Sequence, residues 1–138
     1  MSKAHKQYTE PEPLVHYQND ECLMINVGII AICHRDFTTA AILTILITRI
    51  EEVRLDWYRE QVRDGEVEPE FWITLSYKEV MEALYGYVKD KKTILTRLAW
   101  LVDQRFVRRR ANPKNASGAW QYTVAWGTVQ AALEEEAR

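Results

Sequence analysis

The order of short segments between residues 76 and 124 constrains the fold of this sequence more than any other feature. Ser76-Tyr77-Lys78-Glu79 has the S-x-x-E form of a capping box, which predicts the start of a helix. Gly86 interrupts this helix, and a second helix is predicted to begin at Lys89 or Asp90. Apolar residues of the second helix recur at helical spacing, at Ile94, Leu98, Leu101 and Val102. Two helices joined by a short turn are therefore expected.

Two strands are predicted to follow the second helix directly. Residues 106–110 and 120–124 have strand character, and the turn 112–119 between them is rich in Asn, Pro, Ser and Gly. A shorter strand is predicted earlier, at 71–75, and Thr128 is predicted to cap a final helix after the second strand of the hairpin. A helix-turn-helix followed by a two-stranded hairpin is the winged-helix arrangement. The sequence therefore predicts a mainly α fold with a small β-hairpin (α+β), a winged helix-turn-helix with a long first helix.

The long first helix is predicted over residues 36–63. Asp36 is a suitable N-cap, and apolar residues follow it at helical spacing, at Phe37, Ala40, Leu43, Ile47, Ile50, Val53 and Trp57. Such a helix spans about 40 Å, which is long for a small domain. Its second half is therefore expected to protrude or to pair with another chain. Trp57 and Tyr58 are candidates for a dimer contact, with packing against the N-terminal arm as the alternative.

Length and composition favour one domain without disulfide bonds or membrane spans. The chain has 138 residues, of which 47% are hydrophobic, enough for a core of its own. Residues 1–13 are polar and are predicted to be a flexible arm before a single domain at 14–138. Cys22 and Cys33 form no disulfide framework. No apolar run approaches the ~20 residues of a membrane span. We therefore expect a cytoplasmic protein without a membrane partner.

The charge is distributed very unevenly along the chain. Residues 89–114 contain nine basic and two acidic side chains and so carry +7, whereas the remainder carries −9, giving the net charge of −2. The basic segment coincides with the second helix of the helix-turn-helix and with the predicted wing at 106–124. A basic patch on such elements is typical of nucleic-acid binding. We therefore predict that a recognition helix at 90–105 and the wing bind double-stranded DNA.

The candidate DNA-binding residues form two groups. On the recognition helix they are two first-turn lysines and three residues predicted to lie opposite the buried side: Lys91, Lys92, Thr93, Thr96 and Arg97. Arg97 suits a bidentate contact to guanine, and Thr96 suits a base or a phosphate. On the wing they are side chains suited to phosphates or the minor groove: Arg108, Arg109, Arg110, Asn112, Lys114 and Asn115. Because strand residues alternate between faces, Arg109 is predicted to face away from Arg108 and Arg110.

The same residues allow two other interpretations. Charged runs commonly form a solvated surface, and arginines in a strand can protect an edge from aggregation. A second functional hypothesis is a protein-interaction domain of the same fold. It would dimerise through the long helix and dock an acidic partner on its basic segment. Trp72 and Trp120, in predicted strands, are expected in the core under either hypothesis.

Motifs for catalysis and cofactor binding are absent from the sequence. It contains no P-loop, no G-x-G-x-x-G and no G-x-S-x-G. Cys33-His34 with Cys22 and His16 match no zinc spacing, and a buried structural cysteine is the simpler explanation. We therefore predict that the chain is not an enzyme and takes no metal, cofactor or small-molecule substrate.

Several segments, in order, resemble the winged-helix domain of DnaD-like primosomal and phage replication-initiation proteins. They are Asp36-Phe37-Thr38-Thr39-Ala40-Ala41-Ile42-Leu43, Trp72-Ile73-Thr74-Leu75-Ser76-Tyr77-Lys78-Glu79, Thr93-Ile94 followed by Leu98, Leu101, Phe106 and Val107, and Tyr122-Thr123-Val124. The resemblance covers about residues 14–133, and Arg105 stands where such domains often have a glycine. It implies DNA binding and self-association in replication initiation. Transcription regulators share the same fold, so the resemblance leaves both processes open.

Overall fold

Helices dominate the chain, and a small sheet completes it. The computed structural model describes residues 9, 11–16, 22–60, 66–112, 114 and 120–138. Within them the elements are α1 Val27–Ile32, α2 Phe37–Glu60, β1 Ile73–Thr74, α3 Tyr77–Ala83, α4 Lys91–Asp103, β2 Val107–Ala111, β3 Trp120–Val124 and α5 Trp126–Glu136. The predicted arm at 1–13 lies largely outside the described residues, as does the predicted end of the long helix at 61–65. The fold is mixed α and β.

The three strands form one antiparallel sheet in the order β1–β3–β2, so the last strand is the central one. β2 and β3 pair along their whole length, from Val107 opposite Val124 to Ala111 opposite Trp120. β1 is shorter than the predicted 71–75, because only two of its residues have partners in the ladder. The flanking Leu75 still donates its N–H to the carbonyl of Trp120 at 3.2 Å.

The first half of α2 is the centre of the core. Its residues Ala40, Ile42, Leu43 and Leu46 are completely buried, because α1, α3, α4 and β3 all pack against this helix. The second half, from residue 51 onward, is exposed except for the half-buried Trp57. This packing explains why α2 is apolar on most sides in its first half and polar in its second half. The sequence predicted that this half protrudes or pairs with another chain. It is mostly exposed, but Trp57 and Tyr58 contact Phe71 and Glu68.

Side-chain caps begin α2, α3 and α4 as predicted. Asp36 Oδ1 accepts the N–H of Thr39 at 3.0 Å at the start of α2. Ser76 and Glu79 exchange the two hydrogen bonds of a capping box, at 3.2 and 3.1 Å. Asp90 caps α4, as described below.

The last helix begins differently from what its sequence suggests. Thr128 is a plausible cap residue, but α5 starts at Trp126, two residues earlier, and Ala125 precedes it without a side-chain cap. The N–H of Ala125 donates to the carbonyl of Phe106 at 2.9 Å, which extends the pairing of β2 and β3. The chain therefore turns from β3 directly into α5, and Thr128 lies inside the first turn.

Three helices end on a large residue in the left-handed region of backbone space. His34 follows α1 with φ +55°, Tyr85 follows α3 with φ +52°, and Arg105 follows α4 with φ +65°. After Arg105, the N–H of Phe106 donates back to the carbonyl of Leu101 at 3.1 Å. This is the closing hydrogen bond of a Schellman motif, whose left-handed position favours glycine. The glycine expected at 105 from the resemblance has this physical basis.

No helix in the described part of the chain has both the length and the apolar character needed to cross a membrane.

Candidate nucleic-acid interface

One face of α4 is open to solvent. An open concavity on it is lined by Asp90, Lys91, Lys92, Leu95, Thr96 and Ala99. The opposite side of α4 is buried through Ile94, Leu98 and Leu101. Lys91, Lys92 and Thr96 therefore lie on the exposed face, whereas Thr93 and Arg97 lie at its edges and are half-buried.

The first turn of α4 combines an acidic cap with two lysines. Asp90 Oδ1 accepts the N–H of Lys92 and Oδ2 accepts the hydroxyl of Thr93, both at 3.0 Å. The ammonium of Lys91 lies 4.6 Å from the ring centroid of Tyr77, a cation–π contact between α4 and α3. Lys92 is exposed and forms no ion pair within the described residues. Lys92 is therefore the cation of this turn most accessible to an anion.

Arg97 is held by a carboxylate from another helix. Its Nε lies 3.0 Å from Oδ2 of Asp36, the residue that caps α2. The Nε is itself buried and is not aligned for a hydrogen bond, so the contact is an ion pair only. About a third of the side chain remains exposed, at 37%. Arg97 would have to leave Asp36 to make the bidentate contact with guanine that the sequence suggests.

The three arginines of β2 divide between the two faces of the sheet, as strand alternation predicts. Arg109 lies opposite Tyr122 in the ladder, and its guanidinium carbon is 4.9 Å from the ring centroid of Trp120. Burial raises the pKa of Tyr122, and the nearby Arg109 opposes that shift. Arg108 and Arg110 lie on the other face, which we call the outer face of the sheet.

The outer face carries a stack of two arginines on Trp72. The guanidinium carbons of Arg110 and Arg108 lie 4.1 and 5.4 Å from the ring centroid of Trp72. Arg110 Nε also donates to Oε1 of Gln121 at 2.9 Å. Trp72 is half-buried on this face, so the expectation that it belongs to the core is wrong. The reason is that Trp72 is two residues before the exposed Thr74 and so shares its side of the strand.

Glu70 neutralises part of this stack. Its Oε2 accepts from Nη1 of Arg108 at 2.6 Å, and its Oε1 accepts from the indole N–H of Trp72 at 2.9 Å. Arg110 has no acidic partner within the described residues. The two outer-face arginines therefore differ, because an incoming phosphate competes with Glu70 for Arg108 but not for Arg110.

The residues of the predicted wing beyond β2 are described in part. Asn112 Nδ2 donates to Oγ1 of Thr74 at 3.3 Å, and its Oδ1 accepts the N–H of Lys114 at 3.0 Å. Lys114 is exposed, and Asn115 lies outside the described residues. Trp120 is 41% exposed, so it too is not the core residue that its strand suggests.

Trp57 and Tyr58 both contact the segment before β1. The rings of Trp57 and Phe71 meet edge to face with centroids 6.1 Å apart. The Tyr58 hydroxyl donates to Oε2 of Glu68 at 2.7 Å. Arg54 also donates to Glu68, and this hydrogen bond is the main cause of the lowered pKa of Glu68. Tyr58 remains 45% exposed. Within the described residues the intramolecular partner is therefore 68–71. Most of the predicted arm lies outside them, so packing against the arm and the dimer contact both stay predictions.

Sequence reasoning missed two residues of this surface. Leu95 is 41% exposed in the middle of the open face of α4; its position outside the Ile94, Leu98, Leu101 spacing was the available signal. Glu70 had no local signal, because its partner Arg108 is 38 residues away.

Cys33 and its neighbours offer no reactive site. Cys33 is 1% exposed, and burial raises the pKa of its thiol to about 12. Such a thiol is protonated at neutral pH and is a poor nucleophile. Within the described residues no three His, Cys, Asp or Glu side chains cluster as metal ligands would.

Comparison with known proteins found no matching family model, no matching curated protein and no matching solved structure.

Proposed function

We propose that this chain is a winged-helix DNA-binding protein that acts in replication initiation or transcription regulation. The observation that carries the proposal is the open face of α4, which presents Lys91 and Lys92 to solvent. No carboxylate among the described residues of this face is free to pair with them. Asp90, the one acid of this face, is occupied as the helix cap. Cations in a first turn oppose the helix dipole, so local stability does not account for them.

The element order supports the same proposal. α3 and α4 are joined by a short turn, β2 and β3 form a hairpin directly after α4, and β1 pairs with β3. This order supports the proposed winged-helix assignment. In such domains the second helix of the pair enters the major groove and the hairpin contacts the adjacent backbone.

In the proposed complex the two groups of residues have different roles. Lys91 and Lys92 bind phosphates at the edge of the major groove while Thr96 faces the bases. Arg110 and Lys114 bind phosphates from the wing, and Arg108 joins them by exchanging Glu70 for a phosphate. Arg109 faces Tyr122 and Trp120 and contributes long-range attraction rather than a direct contact.

The salt dependence of binding to a random-sequence duplex tests this proposal. If about five cations contact phosphates, log K falls with log salt with a slope of about −4 to −5. Lys92→Ala should weaken binding to all sequences alike and make this slope shallower by about one. Arg138→Ala, which removes one positive charge from an exposed side chain after α5, is the control for net charge alone. Binding that does not respond to salt would contradict the proposal.

A second candidate function is a protein-interaction domain that dimerises through α2. The observation that favours it is the exposure of Val53, Leu55 and Tyr58, at 40, 51 and 45%, on the second half of that helix. Sedimentation velocity across a range of concentrations separates the two candidates when combined with DNA titration. A stable dimer with a flat titration against duplex and single-stranded DNA would favour this second function.

A further inference from the structure

The open face of α4 contains an apolar centre. Leu95 is 41% exposed there, although leucine is a residue that folding usually buries. Ala99 lies one helical turn further on and lines the same concavity. Lys91, Lys92 and Thr96 surround the two apolar side chains. A ligand that covers this face therefore meets two cations at one end and a small apolar surface in the middle.

The chemistry of that face selects its ligand. One exposed leucine and one half-buried alanine make an apolar area much smaller than the core of a stable protein interface. The neighbouring lysines favour a polyanion. The only apolar group that base edges present in the major groove of DNA is the C5 methyl group of thymine.

Arg97 strengthens this assignment by its absence from the open face. Because its Nε is paired with Asp36, the side chain best suited to read guanine is engaged inside the domain. Thr93 is likewise occupied by Asp90. When Lys91 and Lys92 are assigned to phosphates, the residues of the open face that remain to distinguish one base from another are Leu95, Thr96 and Ala99.

We propose that α4 recognises thymine methyl groups in the major groove through Leu95 and Ala99, while Lys91 and Lys92 bind the flanking phosphates. This inference rests on the proposed DNA-binding function and specifies which DNA sequences the protein prefers. The preferred duplex contains thymine at the positions that face the middle of α4.

The test begins with selection of duplexes from a random library by the full chain. The most enriched duplex is then remade with uracil in place of thymine, which removes only the methyl groups from the major groove. The dissociation constants of the two duplexes are compared by fluorescence anisotropy. We expect the uracil duplex to bind about fourfold more weakly for each methyl group that the protein covers.

Two variants assign the effect to residues. Leu95→Ala should reduce the preference for the thymine duplex over the uracil duplex, and the remainder is due to Ala99. Lys92→Ala should weaken binding to both duplexes by the same factor and leave their ratio unchanged. Both side chains are exposed, so both variants should unfold at the temperature of the wild type.

The outcomes separate this inference from the function on which it rests. Equal affinity for the two duplexes, with a steep salt dependence retained, overturns methyl recognition and leaves DNA binding standing. A thymine preference of undiminished size in Leu95→Ala also overturns it, because Leu95 then takes no part in reading the methyl groups. No enrichment of any duplex together with a flat titration overturns the proposed function and this inference with it.

Discussion

The carboxylate of Asp36 serves two helices at once, because Oδ1 accepts the N–H of Thr39 at 3.0 Å and Oδ2 lies 3.0 Å from Nε of Arg97. The first contact caps α2, and the second joins its beginning to the middle of α4. The orientation of the proposed recognition helix is thus coupled to the end of the central helix of the core.

Substitution of Asp36 separates these two roles. Asp36→Ala should lower the free energy of unfolding by about 1–2 kcal/mol, because it removes a helix cap and a half-exposed ion pair. Asp36→Asn keeps the cap and should cost less than about 1 kcal/mol. Urea denaturation measures both. An asparagine variant as unstable as the alanine variant would show that the ion pair, not the cap, dominates.

Replacement of Arg105 should stabilise the protein. Arg105 has φ +65°, and a side chain there carries a cost that glycine avoids. Arg105→Gly is therefore expected to raise the free energy of unfolding by about 0.5–1 kcal/mol. Arg105→Ala is the matched control, since it removes the same side chain but keeps a Cβ. If the alanine variant gains as much as the glycine variant, the backbone explanation is wrong.

Glu70 should act as a competitor of DNA for Arg108. Under the proposed function, Glu70→Gln releases the guanidinium that Oε2 now holds at 2.6 Å and should tighten binding to a random duplex severalfold at low salt. Glu136→Gln changes the net charge equally at the far end of α5 and should have a smaller effect. Equal effects of the two substitutions, in anisotropy titrations, would refute a specific role for Glu70.

The two cysteines should differ sharply in reactivity. In Cys22→Ser the remaining thiol is the buried Cys33, which should resist a thiol reagent at pH 8 until the protein is unfolded. In Cys33→Ser the exposed Cys22 should react at once. Rapid reaction of native Cys22→Ser would contradict the burial of Cys33.

The same thiol makes stability depend on pH. Folding raises the pKa of Cys33 from 9.0 to about 12, so the folded state holds a proton that the unfolded chain releases. The stability due to this group is complete below pH 9 and is lost as the pH rises from 9 towards 12. Urea denaturation at pH 8 and pH 10 should therefore show a larger loss for the wild type than for Cys33→Ala. Equal losses would count against this linkage.

Most of the element order was readable from the sequence because local signals agreed with the tertiary packing. The capping box at Ser76 and Glu79 and the apolar spacing of α4 each predict an element that is present. Thr128 failed as a cap because the hydrogen bond from Ala125 to Phe106, residues far apart in sequence, sets the start of α5. Local sequence rules fail where a long-range contact sets the boundary of a helix or strand.

The candidate site was less predictable than the fold. The basic segment was visible as charge, but its neutralising partners come from elsewhere in the chain, as Glu70 does for Arg108 and Asp36 for Arg97. The residue types at these positions gave no sign of the pairing. Charge counts locate a candidate surface in the sequence, whereas the availability of each cation depends on the tertiary structure.

The central position of β3 has a consequence for synthesis of the chain. Among the described strands β1 has no partner until β3 exists, and β2 pairs only with β3, so this sheet cannot assemble on the ribosome before residue 124 has emerged. Until then β3 cannot cover the apolar side of α2. The nascent chain thus carries unburied hydrophobic surface until residue 124 has emerged, and chaperones protect such segments during this interval.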